Sequence, residues 1–449
     1  MPTLMVSISG IRGIVGDGLT PDVIVKYTSA YADFVEHGKV IVGRDARISG
    51  EMVNKIVTGT LLAKGLDVVD IGIVPTPTVQ FTVKMLEAQG GIAITASHNP
   101  NEWNALKLLN QTGQFLSPQE HEKMKTFLSS EAFYESWEKI GRYSEHIEAI
   151  DKHIEAILKL KLINIELIKS KKFKVLLDCV NGAGVYSVPK LLDKLGVEYI
   201  KLNCDASGIF PRLPEPIPEN LTETIQAVKE NNVDMGIVVD PDVDRLVLIT
   251  ENGDPFVEEN TITQVVQFIL SKTPGNVVVN LSTTRAVDDV AKEFGCKVFR
   301  SPVGEANVVQ KMKETDAVIG GEGSGGVIYP SLHYGRDALV GIALTLQHLA
   351  ERNITLSDLK SKLPEYFITK KKIELQNAKP DEVINHMIFK YKNQRINTDD
   401  GLRIDLDDHW VHLRKSNTEP IIRIIVEAKN KELAERLAEK YLKEIEELV

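Results

Sequence analysis

The chain has 449 residues, 43% of them hydrophobic, and a formal net charge of -10, which suits three or four packed domains of ordinary size and excludes a disordered chain. An acidic balance lacks the basic footprint of a nucleic-acid binder, so any anion must be gripped locally. No run approaches membrane-spanning length, and the N-terminal MPTLMVSISG has no basic region followed by a long apolar core, so neither a membrane segment nor an export signal is expected.

The first patterned unit begins at residues 39–45 (KVIVGRD), a strand, followed by a helical stretch through Leu61 and Leu62, then Gly65 and a second strand at 66–69. A further apolar run, Ile92 to Ile94, stops abruptly at TASHNP, residues 95–100. A short branched-apolar run that ends in small polar residues reads as a buried strand delivering side chains into a cleft. Ser97 is the side chain delivered. A serine hydroxyl reacts only with a base, a metal or fixed positive charge beside it, and His98, Asn99 and Lys107 can supply these. Pro100 suits a first helical position with Asn99 as its cap, so free backbone N–H groups would also favour an anion. Taken alone, the same residues more readily describe an ordinary strand-to-helix turn.

The order strand, helix, glycine, strand returns at 174–178 (KVLLD), a helix to Leu195, Gly196 and 197–202. It returns again at 276–280 (NVVVN), a helix over about 286–294, Gly295 and 296–299. Each unit then adds an apolar run ending in a polar loop: 235–239 into Asp240, Pro241, Asp242, Val243, Asp244 and Arg245, and 317–319 into a glycine-rich segment holding Glu322 and Ser324. Three such units predict three α/β domains of one ancestry with mixed, mostly parallel sheets, and three equivalent strand ends aimed at one central cleft. Asp240, Asp242 and Asp244 can converge on one cation across a turn. Hard oxygen donors with no His or Cys nearby favour magnesium over zinc; a merely solvated acidic turn is the alternative. Arg245 suits a carboxylate or phosphate. The glycines around Glu322 and Ser324 suit close backbone approach to a ligand, with a sugar hydroxyl bound by the carboxylate, or else a tight hairpin. Cys179, Cys204 and Cys296 are odd in number and lack metal-ligand spacing, so a reduced, cytoplasmic setting is expected.

The tail reads differently: a strand at 370–375, a helix at 381–391, strands near 401–406, 410–414 and 421–427, and a last helix at 431–448. This predicts a small antiparallel α+β domain. Arg414, Ser416, Asn417, Thr418 and Arg423 lie on or beside one inter-strand loop and make a phosphate cradle or a polar hairpin turn. The stretch 366–372 is the expected hinge.

TASHNP, the DPDVDR loop, the GEGSGG loop and RKSNTEPIIR, in that order, resemble the α-D-phosphohexomutases, and the resemblance covers the whole chain. Residues 9–13 (SGIRG), 43–45 (GRD) and 214–216 (PEP) agree with it. It implies domains at 1–153, 154–253, 254–366 and 367–449, carrying in turn the phosphoserine, metal-binding, sugar-binding and phosphate-binding loops. It implies that Ser97 is phosphorylated and that one Mg2+ is held by that group with Asp240, Asp242 and Asp244. A hexose 6-phosphate and a hexose 1-phosphate would interconvert through a hexose bisphosphate, by placement and charge neutralisation. Arg12, His98 and Lys107 would surround the transferring group, Lys107 as proton shuttle and His98 as polar support, with Arg245 offsetting charge. Glu322 and Ser324 would hold sugar hydroxyls, and Arg414, Ser416, Asn417, Thr418 and Arg423 the spectator phosphate. The partners implied are small-molecule hexose phosphates, the chain being a monomer or homodimer, and a mobile last domain would exclude water.

The chain departs from the family pattern at Pro241 and Val243, where glycines are common, at Gly326, often histidine, and at Glu305, where several relatives are basic. An extra carboxylate at 305 would suit a 2-amino group, and the chain as a whole resembles the phosphoglucosamine mutase subgroup, whereas its RKSNTEP loop resembles phosphomannomutase and phosphoglucomutase members. A phosphatase using the same serine and metal, and a catalytically silent sugar-phosphate sensor, are the readings from other classes.

Overall fold

The structure, a computed structural model, describes residues 3–8, 10–129, 132–375, 379–415 and 421–448. Three times the chain runs strand, helix, strand, helix, strand, strand. The first unit is Lys39–Arg44, Gly50–Ala63, Asp67–Ile73, Thr76–Met85, Gly90–Ile94 and Trp103–Asn110. The second is Lys174–Asp178, Gly184–Leu195, Glu198–Leu202, Thr222–Asn231, Met235–Val239 and Leu246–Thr250; the third is Val277–Asn280, Ala286–Glu293, Val298–Ser301, Glu305–Glu314, Ile319–Glu322 and Gly326–Ile328. The repeated glycine has a physical reason: Gly65, Gly196 and Gly295 all take left-handed φ, at 80°, 66° and 66°, where the chain leaves a helix for the next strand.

Numbering each unit's strands in chain order, all three sheets run 4-3-1-2. Strands 3, 1 and 2 are parallel and strand 4 is antiparallel to strand 3. The first sheet extends to seven strands by adding Met5–Ser7 and Gly10–Ile14 at one edge and Tyr143–Glu145 at the other. The fold is thus α/β with mixed sheets, as expected. One local expectation is corrected: no helix starts at Pro100. Thr95 to Glu102 instead connects strands 3 and 4, and Lys107 lies on the second of these, paired with Ala93. The DPDVDR and glycine-rich loops occupy the equivalent position in the other two sheets.

One continuous apolar core joins the three units, running from Ile41 and Val83 through Ile154 and Ile157 of the connecting helix Ala149–Leu158 to Leu191, Val266 and Leu344. The helix Ala338–Arg352 is buried over almost its whole length. The C-terminal domain is a five-stranded antiparallel sheet with helices Pro380–Tyr391 and Lys431–Glu446, and it packs a separate core. Residues 367–372 of the expected hinge belong to its edge strand, Phe367–Glu374, which pairs with Ile421–Ala428. Among the described residues no helix is long and apolar enough to cross a membrane.

Candidate active site

Ser97 sits at φ 48°, a strained conformation for a residue with a side chain, and its surroundings hold it there. Its N–H donates to Thr95 Oγ1 at 3.0 Å, Thr95 donates to Asp45 Oδ2 at 2.6 Å, and Asp45 pairs with Arg47 Nε at 2.8 Å. Arg47, itself buried, also donates to the carbonyls of Ser97, Pro100 and Trp103. The GRD segment therefore braces the serine loop from beneath. Arg47 carries most of that brace, and no local sequence pattern marked it.

The brace presents the Ser97 hydroxyl to the second domain. It donates to Asp240 Oδ2 at 2.8 Å, while Asp240 Oδ1 accepts the N–H groups of Asp244 and Arg245, each at 3.1 Å. Asp242 Oδ2 accepts from Thr76 at 2.5 Å and Lys107 Nζ at 2.6 Å. Asp244 Oδ2 accepts from Arg336 Nη2 at 2.6 Å and lies 3.5 Å from Lys107 Nζ. All three aspartates are fully buried, and each offers a carboxylate oxygen within 4.8 Å of the others. Asp242 Oδ1 and Asp244 Oδ1 are buried and meet no hydrogen-bond donor. An all-oxygen set with two oxygens left over fits a hard divalent cation. The turn that gathers them places Val243 at φ 61°, an expensive conformation for a β-branched residue.

Charge follows geometry. Burial, then repulsion from Asp244 and Asp242, raises the Asp240 carboxyl well above its ordinary value. Burial acts the same way on Asp242, but Lys107 and the hydrogen bonds from Lys107 and Thr76 outweigh it and hold that carboxyl low. Burial would lower Lys107, yet Asp242 and Asp244 raise it, so its ammonium is charged and engaged with the acidic loop. His98 Nδ1 stands 3.4 Å from Ser97 Oγ, and Arg245, burial and Arg12 together push the ring well below its usual range, leaving it neutral. Arg12 reaches the same loop through Asn99, at 2.8 Å. Arg245 extends toward Glu215 of the PEP segment at 3.5 Å.

The third domain adds its own carboxylates to this group. Glu322 ends its strand, accepting from Asn280 Nδ2 and the Gly304 N–H, both at 2.9 Å, and from Arg336 Nη1 at 2.7 Å. Ser324 is half-buried at the tip of the following hairpin, so the glycines also serve the tight turn that the sequence left open. Glu305 is buried, its Oε1 accepting from Gln80 at 2.7 Å and its Oε2 from Arg336 at 3.1 Å. Arg336 is the principal residue that sequence reasoning missed.

The C-terminal residues form a separate group. Arg414 and Arg423 are direct cross-strand partners, and Lys372 pairs with Arg423 from the other side. Like charges placed opposite one another in a sheet are unfavourable unless an anion joins them. Arg414 Nε lies 3.3 Å from Asp400 Oδ2, which accepts the Val303 N–H at 3.0 Å, next to the Gly304 that holds Glu322. Ser416, Asn417 and Thr418 lie outside the described residues.

Family models for phosphoglucomutase/phosphomannomutase match the chain in four consecutive pieces: α/β/α domain I at residues 5–135, domain II at 151–253, domain III at 259–367 and the C-terminal domain at 368–444. The chain belongs to this family. As a phosphohexomutase it is a mutase of the isomerase class, in keeping with the four-motif resemblance. It is 37% identical over 447 residues to "Phosphoglucomutase/phosphomannomutase" of Thermococcus kodakarensis, covering 98% of this chain and 97% of the relative. It is 35% identical over 438 residues to "Probable phosphoglucosamine mutase" of Methanopyrus kandleri, covering 97% and 96%. The crystal structure of a phosphoglucomutase/phosphomannomutase family protein from Burkholderia thailandensis superposes with a TM-score of 0.85 at 27% identity, covering 98% of this phosphohexomutase and 97% of that chain.

Proposed function

We propose that this phosphohexomutase interconverts hexose 6-phosphate and hexose 1-phosphate through a phosphorylated Ser97 and a hexose bisphosphate. The observation that carries the reading is the 2.8 Å contact between the Ser97 hydroxyl and Asp240, which joins the nucleophile of one domain to the acidic loop of another. In the first half-reaction the Oγ–P bond at Ser97 breaks as a sugar hydroxyl oxygen bonds to the same phosphorus, one proton leaving the sugar oxygen and one arriving on Oγ. In the second, after the bisphosphate has turned over, Oγ bonds to the phosphorus at the other end of the sugar as that sugar O–P bond breaks, and the protons move the opposite way. Lys107, held 2.6 Å from Asp242, serves as the proton shuttle, and neutral His98, 3.4 Å from Ser97 Oγ, as polar support. Asp240, Asp242 and Asp244 would hold one Mg2+, whose chemistry is to neutralise charge on the transferring phosphoryl group. Arg12 and Arg245 add fixed positive charge beside it. Glu322 and Ser324 take sugar hydroxyls, and Arg414 and Arg423, with Lys372 beside them, take the phosphate that is not reacting.

Between sugars, the name borne by the Methanopyrus kandleri relative favours glucosamine phosphate. The name borne by the Thermococcus kodakarensis relative supports the second reading, a phosphoglucomutase/phosphomannomutase. Side-by-side kcat/KM values for the 1- and 6-phosphates of glucosamine, glucose and mannose test both. A preference for glucosamine phosphate of tenfold or more supports the first, and release of free phosphate without isomerisation would overturn both in favour of a phosphatase.

A further inference from the structure

One guanidinium ties together three carboxylates from separate segments of the chain. Arg336 donates from Nη2 to Asp244 of the metal loop, from Nη1 to Glu322 of the sugar loop and from Nε to Glu305, at 2.6, 2.7 and 3.1 Å. Glu305 is in turn fixed by Gln80 of the first domain. The backbone beneath Arg336 is pinned too. Asp337 caps the helix Ala338–Arg352 by accepting from Leu339 and Val340 N–H groups, and its other oxygen meets His153 at 3.0 Å and His333 at 3.2 Å. The stem of Arg336 lies across Gly326, where a Cβ would fall 2.4 Å from its Cδ and 2.9 Å from its Cγ. Only a side chain with a planar, three-sided donor set can serve all three carboxylates at once, and only a residue without a Cβ at 326 leaves it room.

We propose that Arg336 is a positioning residue that sets the spacing between the hydroxyl-binding Glu322 and the metal-loop Asp244, and thereby which sugar oxygen meets Ser97. The inference rests on the mutase reading above. Because reaction rate depends steeply on near-attack placement, a misplacement of about 1 Å is enough to cost about 100-fold in kcat. Loss of the donor to Glu322 weakens sugar binding as well, by about tenfold.

The test compares wild type, Arg336→Met, Gly326→Ala and the double variant, all confirmed as folded by circular dichroism. Calorimetry of glucose 1-phosphate binding to EDTA-treated protein is expected to show the tenfold loss without turnover, and steady-state kinetics the 100-fold fall in kcat. The two substitutions displace the same guanidinium, so the double variant is expected within about threefold of the worse single one. Multiplying losses, or Arg336→Met values within twofold of wild type in both assays, would overturn the proposal. Should Arg336→Met fail to fold, Arg336→Lys keeps a positive charge but not the fork, and is expected to recover no more than about a tenth of the lost kcat; full recovery would overturn the proposal equally. A wild-type protein that isomerises no hexose phosphate sinks the mutase reading instead, an outcome distinct from a working enzyme indifferent to Arg336.

Discussion

The molecule has two kinds of joint. The first three domains meet through a shared apolar core, in which Ile154 and Ile157 of the connecting helix lie among Val83, Leu191 and Leu344. The C-terminal domain, whose own core has its buried members at Leu375 and beyond, meets the third through polar groups. Arg285 N–H donates to Glu427 at 3.0 Å, Ser282 meets His412 Nδ1 at 2.9 Å and Val303 N–H donates to Asp400 at 3.0 Å. An apolar joint cannot slide without exposing surface, at about 25 cal/mol per Å². A polar joint exchanges its hydrogen bonds for water at small net cost, as interfaces between moving domains commonly do. Ser97 and the acidic loop therefore belong to the body with the shared core, and Arg414 and Arg423 to the domain joined to it through polar groups.

The largest expected effect separates the two. Ser97→Ala is expected to abolish turnover, since among the described residues no other hydroxyl lies against Asp240, while hexose phosphate binding stays within about tenfold because the proposed phosphate contacts across the polar joint are untouched. Kinetics and calorimetry on the same preparation check it, and residual turnover near wild type would remove the phosphoserine route.

Next in size is a substitution at the apolar joint itself. Ile154 is fully buried, so Ile154→Ala is expected to cost about 2–5 kcal/mol. Scanning calorimetry should show the first three domains losing stability together while the C-terminal domain keeps its own transition. A loss confined to the C-terminal transition would reverse the assignment of joints.

Arg414→Ala probes the other side. Removing Arg414 relieves its repulsion with Arg423 but also removes its ion pair with Asp400, two small terms that offset each other in the free protein, and it takes away a charge-assisted contact in the complex. KM for both the 1- and the 6-phosphate is expected to rise by about 10- to 100-fold, with the melting temperature little changed. An effect on one isomer alone would contradict a single grip serving both orientations of the sugar.

The two joints also differ in how far the sequence disclosed them. The repeated units were legible because Gly65, Gly196 and Gly295 punctuate apolar runs of strand length, and the run before each polar loop is buried throughout. Ser97 and the aspartates were legible as polar tips of such runs. The segment after Pro100 was not: Asn-Pro suits a helix start as well as a turn, and the strand Trp103–Asn110, buried on both faces, carries no alternation to decide the matter. Arg336 and Arg47 left no local trace, since their partners lie far off in the chain, and Lys372 gained its meaning only from strand register. Which domains would share a core was equally invisible, because it depends on which helix faces meet.

The smallest expected effect is one of pH, at the polar joint. Burial lowers the His412 imidazole from its ordinary value to about 4; its Nε2–H donates to the Asp400 carbonyl at 2.6 Å, and Nδ1 accepts from Ser282 across the joint. The folded state therefore binds fewer protons than the unfolded state between about pH 4 and 6.5. The neutral ring's contribution is complete above pH 6.5 and is lost as the pH falls toward 4, by at most about 1.4 kcal/mol per pH unit. Hydrogen exchange across His409–Lys415 should report earlier opening at pH 4.5 than at pH 7, and His412→Gln should flatten that dependence. The apolar joint gives no reason for a matching slope around Ile154, so a slope of equal size in both places would mean that the joints yield together.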